Sequence, residues 1–116
     1  MKYFSKSEFK CNDVQCFDLM NPELIKKLDL ARGIAEVSFF ITSSYRDKET
    51  NDREGGSKKS AHLRGNAVDI HCENSYHRFK IVQALLDVGF TRIGIHSTFI
   101  HADVDEELTD SVIWTY

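Results

Sequence analysis

The chain has 116 residues with 18 acidic and 15 basic side chains, and its net charge of −3 selects neither a polyanionic nor a polycationic partner. An apolar fraction of 41%, including 8 Phe, 4 Tyr and 1 Trp, supplies one packed core, while one Pro and 6 Gly exclude a fibrous or disordered chain. No apolar stretch approaches the ~20 residues that cross a membrane. The first eight residues lack the apolar run of a secretion signal, and the 3 cysteines are an odd number, which fits a reducing cytoplasm better than a disulfide framework. The expectation is a single domain over residues 1–116 that acts as a monomer, with no membrane partner.

In chain order, Ser5-Lys6-Ser7-Glu8 forms a capping-box pattern behind Phe4, predicting a short helical turn. Asn21-Pro22 starts a helix carrying Leu24, Ile25, Leu28, Ala31 and Ile34 on one face. Val37 to Thr42 reads as a buried strand, and the polar stretch Asp47 to Ser60 as a surface loop. Ala67 to Cys72 alternates as a strand, with Asp69 opposite the apolar set Val68, Ile70 and Cys72. A second helix begins near Asn74 or Ser75, carries Phe79, Ile81, Val82, Leu85 and Leu86, and stops at Gly89. Thr91–Ile95 and Thr98–Val104 then read as a β-hairpin, and the tail Asp110–Tyr116 as either a last strand or a cleft lining. This order predicts an α+β domain, a largely antiparallel sheet with two main helices packed on it.

Two segments concentrate chemistry. Ser60-Ala61-His62-Leu63-Arg64-Gly65-Asn66-Ala67-Val68-Asp69 and Phe99-Ile100-His101-Ala102-Asp103 together offer two imidazoles and a carboxylate. His62, Asp69 and His101 are the donor set of a three-ligand zinc site that keeps a fourth position open. The plainer alternative is an exposed loop histidine beside the solvated side of an edge hairpin carrying His101, Asp103 and Asp105.

These residues resemble the zinc D-alanyl-D-alanine carboxypeptidase family. The first segment is similar to its S-x-H-x-x-G-x-A-x-D motif and the second to its closing H-x-D. Ile41-Thr42-Ser43-Ser44-Tyr45-Arg46 resembles the strand ending in S-G-Y-R, with Ser44 where Gly is usual. Asn51 with Gly55-Gly56 resembles the loop that precedes the His motif, and Gly94-Ile95 the turn into the last family strand. The likeness runs from about Tyr3 to Asp103 and is nearest to the small single-domain members encoded by bacteriophages.

The resemblance implies a hedgehog/D,D-peptidase-like fold, Zn2+ held by His62, Asp69 and His101, and a peptidoglycan stem peptide as substrate. It also implies Arg46 facing the substrate, Asp103 accepting the free N–H of a ligand histidine, and Ser60 hydrogen-bonding near the metal. Some members carry a Glu three residues before the last His; that position here is Thr98, which cannot act as a base. Others carry a His five residues before it, which is His96 here, the candidate proton carrier. The reading is a zinc peptidase of the carboxypeptidase or endopeptidase type, such as a phage lysin acting on the wall after release or from a virion. The alternative is a non-catalytic, zinc-stabilised wall-binding or virion module of the same fold.

Three weaker patterns remain. Cys11 and Cys16 with Cys72 or His77 could form a second metal site. His71 shares a strand side with Asp69 and could support the first site. Arg53, Lys58, Lys59 and Arg64 make a basic loop, but the negative net charge and the lack of interleaved aromatics argue against nucleic acid.

Overall fold

Ser5 and Glu8 open the chain as the capping box predicts: in the computed structural model, which describes residues 1–116, the Ser5 N–H donates to Glu8 Oε2 at 2.8 Å. A small hairpin follows, β1 (Lys10–Cys11) paired antiparallel with β2 (Val14–Gln15). Helix α1 (Pro22–Ala35) starts where Asn21 accepts the Glu23 N–H at 2.8 Å, with Pro22 at the first helical position. After β3 (Ile41–Ser43) come a short helix α2 (Lys48–Arg53), β4 (Ala67–His71) and helix α3 (Ser75–Asp87). The chain ends with β5 (Arg92–Ile95), β6 (Phe99–Asp103) and β7 (Val112–Thr115).

The five long-range strands form one sheet in the order β3-β4-β6-β5-β7, antiparallel throughout except that β7 returns parallel to β5. Alternation along the strands sends Val68, Ile70, Ile93, Ile100 and Ala102 into the core beneath α1 and α3. Phe4, Phe9 and Phe39 close the same core. Asp69, His101 and Asp103 occupy the alternate positions, so the face that does not carry the helices carries the polar groups. The α+β architecture is as the sequence predicts.

Four local expectations differ. The Val37–Thr42 strand is ladder-paired only from Ile41, because Phe39 turns into the core and the register with β4 shifts between Ile41 and Ser43. The Asp47–Ser60 loop contains α2, which forms because Asp47 accepts the Thr50 N–H at 2.7 Å as an N-cap. Phe79 and Leu86 stay 65% and 48% exposed, since the stripe of α3 that meets the core is Ile81, Ala84 and Leu85. The His101 strand is not a solvated edge but the centre of the sheet, and His101, Asp103 and Asp105 are all buried.

Asp29 ties the N-terminal segment to α1. Its carboxylate accepts the backbone N–H groups of Lys2, Tyr3 and Phe4 at 2.9, 2.9 and 3.0 Å. Burial favours its neutral form, but the three donors outweigh that and hold the carboxyl below its ordinary value. Asp29→Asn therefore destabilises the fold by about 1.5–3 kcal/mol at neutral pH. Because the folded pKa is depressed, this contribution is present above the unfolded value and disappears as pH falls through the folded one. Denaturant titrations should show wild type and variant converging in acid.

Candidate metal centre and cleft

The antiparallel register of β4 and β6 places Asp69 directly opposite His101 and Ala67 opposite Asp103. His62 arrives from the turn before β4, a single 3-10 helix over Ala61–Arg64. Ser60 caps that turn, its Oγ accepting the His62 N–H at 3.2 Å, and Gly65 closes it at φ +70°. The ligand atoms of His62, Asp69 and His101 lie within 4.8 Å of one another, and all three residues are buried.

The outer nitrogens of both rings are already engaged. His62 Nδ1 donates to the Ser44 carbonyl at 2.7 Å, and His101 Nε2 donates to Asp103 Oδ2 at 2.7 Å. Each neutral ring then presents its other nitrogen inward: His62 Nε2 lies 3.3 Å and His101 Nδ1 3.1 Å from Asp69 Oδ1. Three electron-pair donors converging on one point repel one another unless a cation or extra protons sit among them. Burial opposes the charge of Asp69, yet the bonds from His101 and His62 hold its carboxyl well below the carboxylate range. Burial likewise disfavours charged His101, but bonds to Asp103 and Asp69 raise its pKa. The donor set fits a zinc-type ion with a fourth position left over.

Asp103 is only 1% exposed and fully satisfied: besides His101 it accepts Arg92 Nε at 2.8 Å and the Asp105 N–H at 3.1 Å. Arg46 follows β3 and reaches the same centre from the other side. Its Nη2 lies 3.3 Å from Asp69 Oδ2 and its Nε 2.9 Å from Glu54 Oε2. Asn51 Oδ1 accepts from Arg46 Nη1 at 3.4 Å, while Asn51 Nδ2 donates to the Ser57 carbonyl at 2.8 Å and so holds the loop. Gly56 must be glycine here, because a Cβ would meet Asn51 Oδ1 at 2.1 Å.

The two departures from the family pattern have physical accounts. Ser44 is fully buried; its Oγ donates to the Lys10 carbonyl at 2.9 Å, leaving its own carbonyl for His62. Thr98 supports His96: its N–H and Oγ1 both lie 3.1 Å from His96 Nδ1, leaving Nε2 as the free nitrogen. His96 and the three central residues line one cleft of about 530 Å3, together with Arg46 and Ser60.

The candidate residues are thus brought to one place, while the weaker patterns are not. Cys16 Sγ lies against Ser44 Oγ at 3.3 Å and Cys72 Sγ donates to the Asn74 carbonyl at 3.5 Å; all three cysteines are free and no second metal cluster forms. His71 pairs with Glu73 on the surface at 3.1 Å. Arg64 is taken by Asp105 at 2.7 Å and Arg53 by Asn12 at 3.0 Å, so two of the four basic residues of the loop are already paired. Sequence reasoning missed Glu54 and Arg92; for Arg92 a signal existed, its place on a strand neighbouring the one that carries Asp103, and the Asp110–Tyr116 tail is both of the things expected of it, a last strand and a lining of the cleft. No helix is long and apolar enough to cross a membrane.

Among curated proteins none matches this chain. The model of the Peptidase M15 family matches it over residues 2–103, which takes in every residue of the converging trio as well as Arg46, His96 and Asp103. Since that match covers most of its length, the chain belongs to the M15 peptidases, the zinc D-alanyl-D-alanine carboxypeptidase-type family.

Proposed function

We propose that the chain is a zinc-dependent peptidase that cuts stem peptides of bacterial peptidoglycan next to a D-amino acid. The observation that carries this reading is the convergence of His62 Nε2, Asp69 Oδ1 and His101 Nδ1, each histidine fixed from behind by an acceptor for its other nitrogen. Those three residues hold the ion. Zinc, when bound, supplies Lewis acidity toward the scissile carbonyl and toward water. His96 carries protons at Nε2, with Nδ1 kept in register by Thr98. Arg46 turns its guanidinium toward the centre and steadies a substrate carboxylate or the oxygen on which charge develops. Asp103 keeps the His101 proton on Nε2, so that Nδ1 faces inward. A lysin-type role in wall degradation rests on the likeness to the small phage-encoded members.

The test is mass spectrometry of peptidoglycan treated with the purified protein, with zinc and again with a chelator. Zinc-dependent fragments support the reading, and their masses name the bond: loss of one alanine means a carboxypeptidase, separated stems an endopeptidase. Binding to walls of several chemotypes without any fragment would favour the non-catalytic module instead. Asp103→Asn should weaken zinc binding by about 10–100-fold, as read by competition with a chromogenic chelator.

A further inference from the structure

The family match ends at residue 103, but the cleft does not: Leu108, Trp114 and Tyr116 also line it. These residues reach it because β7 returns parallel to β5 with Trp114 paired to Gly94, which is itself paired to His101 on β6. Gly94 makes the approach possible. A Cβ there would lie 2.7 Å from indole Cε2 and Nε1, so only glycine lets the Trp114 ring lie across the strand.

The indole then packs on His101 with ring centroids 5.3 Å apart and beneath the Arg92 guanidinium at 5.0 Å. Two residues on, Tyr116 sets its ring edge-on against Phe99 at 5.2 Å and His96 at 5.3 Å, while His96 and Phe99 stack at 4.5 Å. The result is a continuous aromatic wall running outward from the metal trio. Sheet order puts it opposite the polar wall, since Arg46 follows the edge strand β3 and Trp114 lies on the other edge strand, with the trio on β4 and β6 between them. The charged groups along the aromatic side are already bonded, Arg92 Nε to Asp103 and Asp103 to His101, while His96 uses Nδ1 on Thr98 and keeps Nε2 free. The stacked and edge-on rings of Phe99, Trp114 and Tyr116 give this side an apolar surface and no unpaired charge, which suits an aliphatic side chain and disfavours a charged one.

We propose that Trp114 and Tyr116 are specificity-determining residues that, with Phe99, form a subsite for an uncharged aliphatic residue of the peptide substrate, across the trio from Arg46. The substrate class rests on the peptidase reading above; the subsite itself rests on the geometry of β7. Trp114 is the only tryptophan in the chain, so its emission reports on this wall directly.

The experiment titrates an N-acetylated D-alanyl-D-alanine peptide, and a variant of that peptide with one alanine replaced by glutamate, into the zinc-loaded protein. Trp114 emission and, separately, turnover are followed. The alanine peptide should change the emission saturably, and Tyr116→Ala should raise both its Kd and its KM about tenfold with little change in kcat. Tyr116→Phe should behave as wild type, and the preference over the glutamate peptide should shrink in Tyr116→Ala. Tyr116 is 64% exposed, so its removal leaves the fold intact, which thermal unfolding verifies. Unchanged constants in Tyr116→Ala, an equal loss for both peptides, or emission that responds to N-acetylglucosamine oligomers in place of the peptide would overturn the subsite. A peptide-dependent emission change weakened by Tyr116→Ala, but with no hydrolysis, would keep the subsite and remove the peptidase reading. Hydrolysis unaffected by Tyr116→Ala would do the reverse.

Discussion

His62→Ala is expected to abolish zinc binding and, with it, peptide hydrolysis. The side chain is 3% exposed and supplies one of only three protein donors, so the variant leaves Asp69 and His101 as an incomplete pair. A metal's electrostatic help to a developing oxyanion is several kcal/mol, and about 4 kcal/mol corresponds to roughly a thousandfold in rate. Turnover should fall by at least that factor. The substitution also strands the Ser44 carbonyl, which accepts from His62 Nδ1 and lies on a fully buried residue. An unpartnered buried acceptor costs about 1–3 kcal/mol, so part of the loss could reflect folding. His62→Gln separates the two effects, since it restores a donor near Ser44 without an imidazole. Thermal unfolding close to wild type with lost zinc binding and lost turnover is the expected pattern for His62→Gln; full activity in either variant would sink the assignment.

Gly65→Ala should be the most destabilising single methyl in the chain. Gly65 sits at φ +70°, where a side chain is strained by about 1–2 kcal/mol. Its Cβ would also stand 2.0 Å from the Leu19 carbonyl oxygen, a backbone atom that cannot swing away. Forcing the two apart adds about 1–3 kcal/mol, for a total of about 2–5 kcal/mol in denaturant unfolding. Gly55→Ala is the control. It shares the left-handed backbone at φ +74° but meets nothing within 4 Å, so it should show the strain without the collision. The gap between the two variants isolates the contact between the metal-binding turn and the segment leading into α1. Because His62 lies on the same turn, Gly65→Ala should also weaken zinc binding.

What the sequence revealed follows the range over which each feature is encoded. Asn21-Pro22, Asn74 and Gly89 bound their helices through contacts a few residues away, and they are found where the pattern places them. Asp69 stands opposite its apolar neighbours by simple alternation, and the S-x-H-x-x-G-x-A-x-D segment carries its own turn chemistry in Ser60 and Gly65. The α2 helix escaped because its six residues are polar and carry no apolar period; one Asp47 cap decides it. Glu54 escaped because its meeting with Arg46 depends on how α2 returns the chain toward β3. Arg92 escaped, and the choice between strand and cleft lining for Trp114 stayed open, for a longer-range reason. Their places depend on the register of β5 with β6 and on the parallel return of β7, and neither is written in local propensity.

The pairing of Asp69 with His101 across β4 and β6 joins parts of the chain 32 residues apart at the metal centre. In an unfolded chain those groups drift independently and grip no ion well, so an ion held by this trio would bind the native state almost alone. Free zinc would thereby become a variable of the folding equilibrium. At a concentration one hundred times its Kd it adds about 2.7 kcal/mol to the unfolding free energy, and each further tenfold adds about 1.4. A protein of this size has a modest margin, so on the zinc reading metal supply would bear on its stability as well as on its activity.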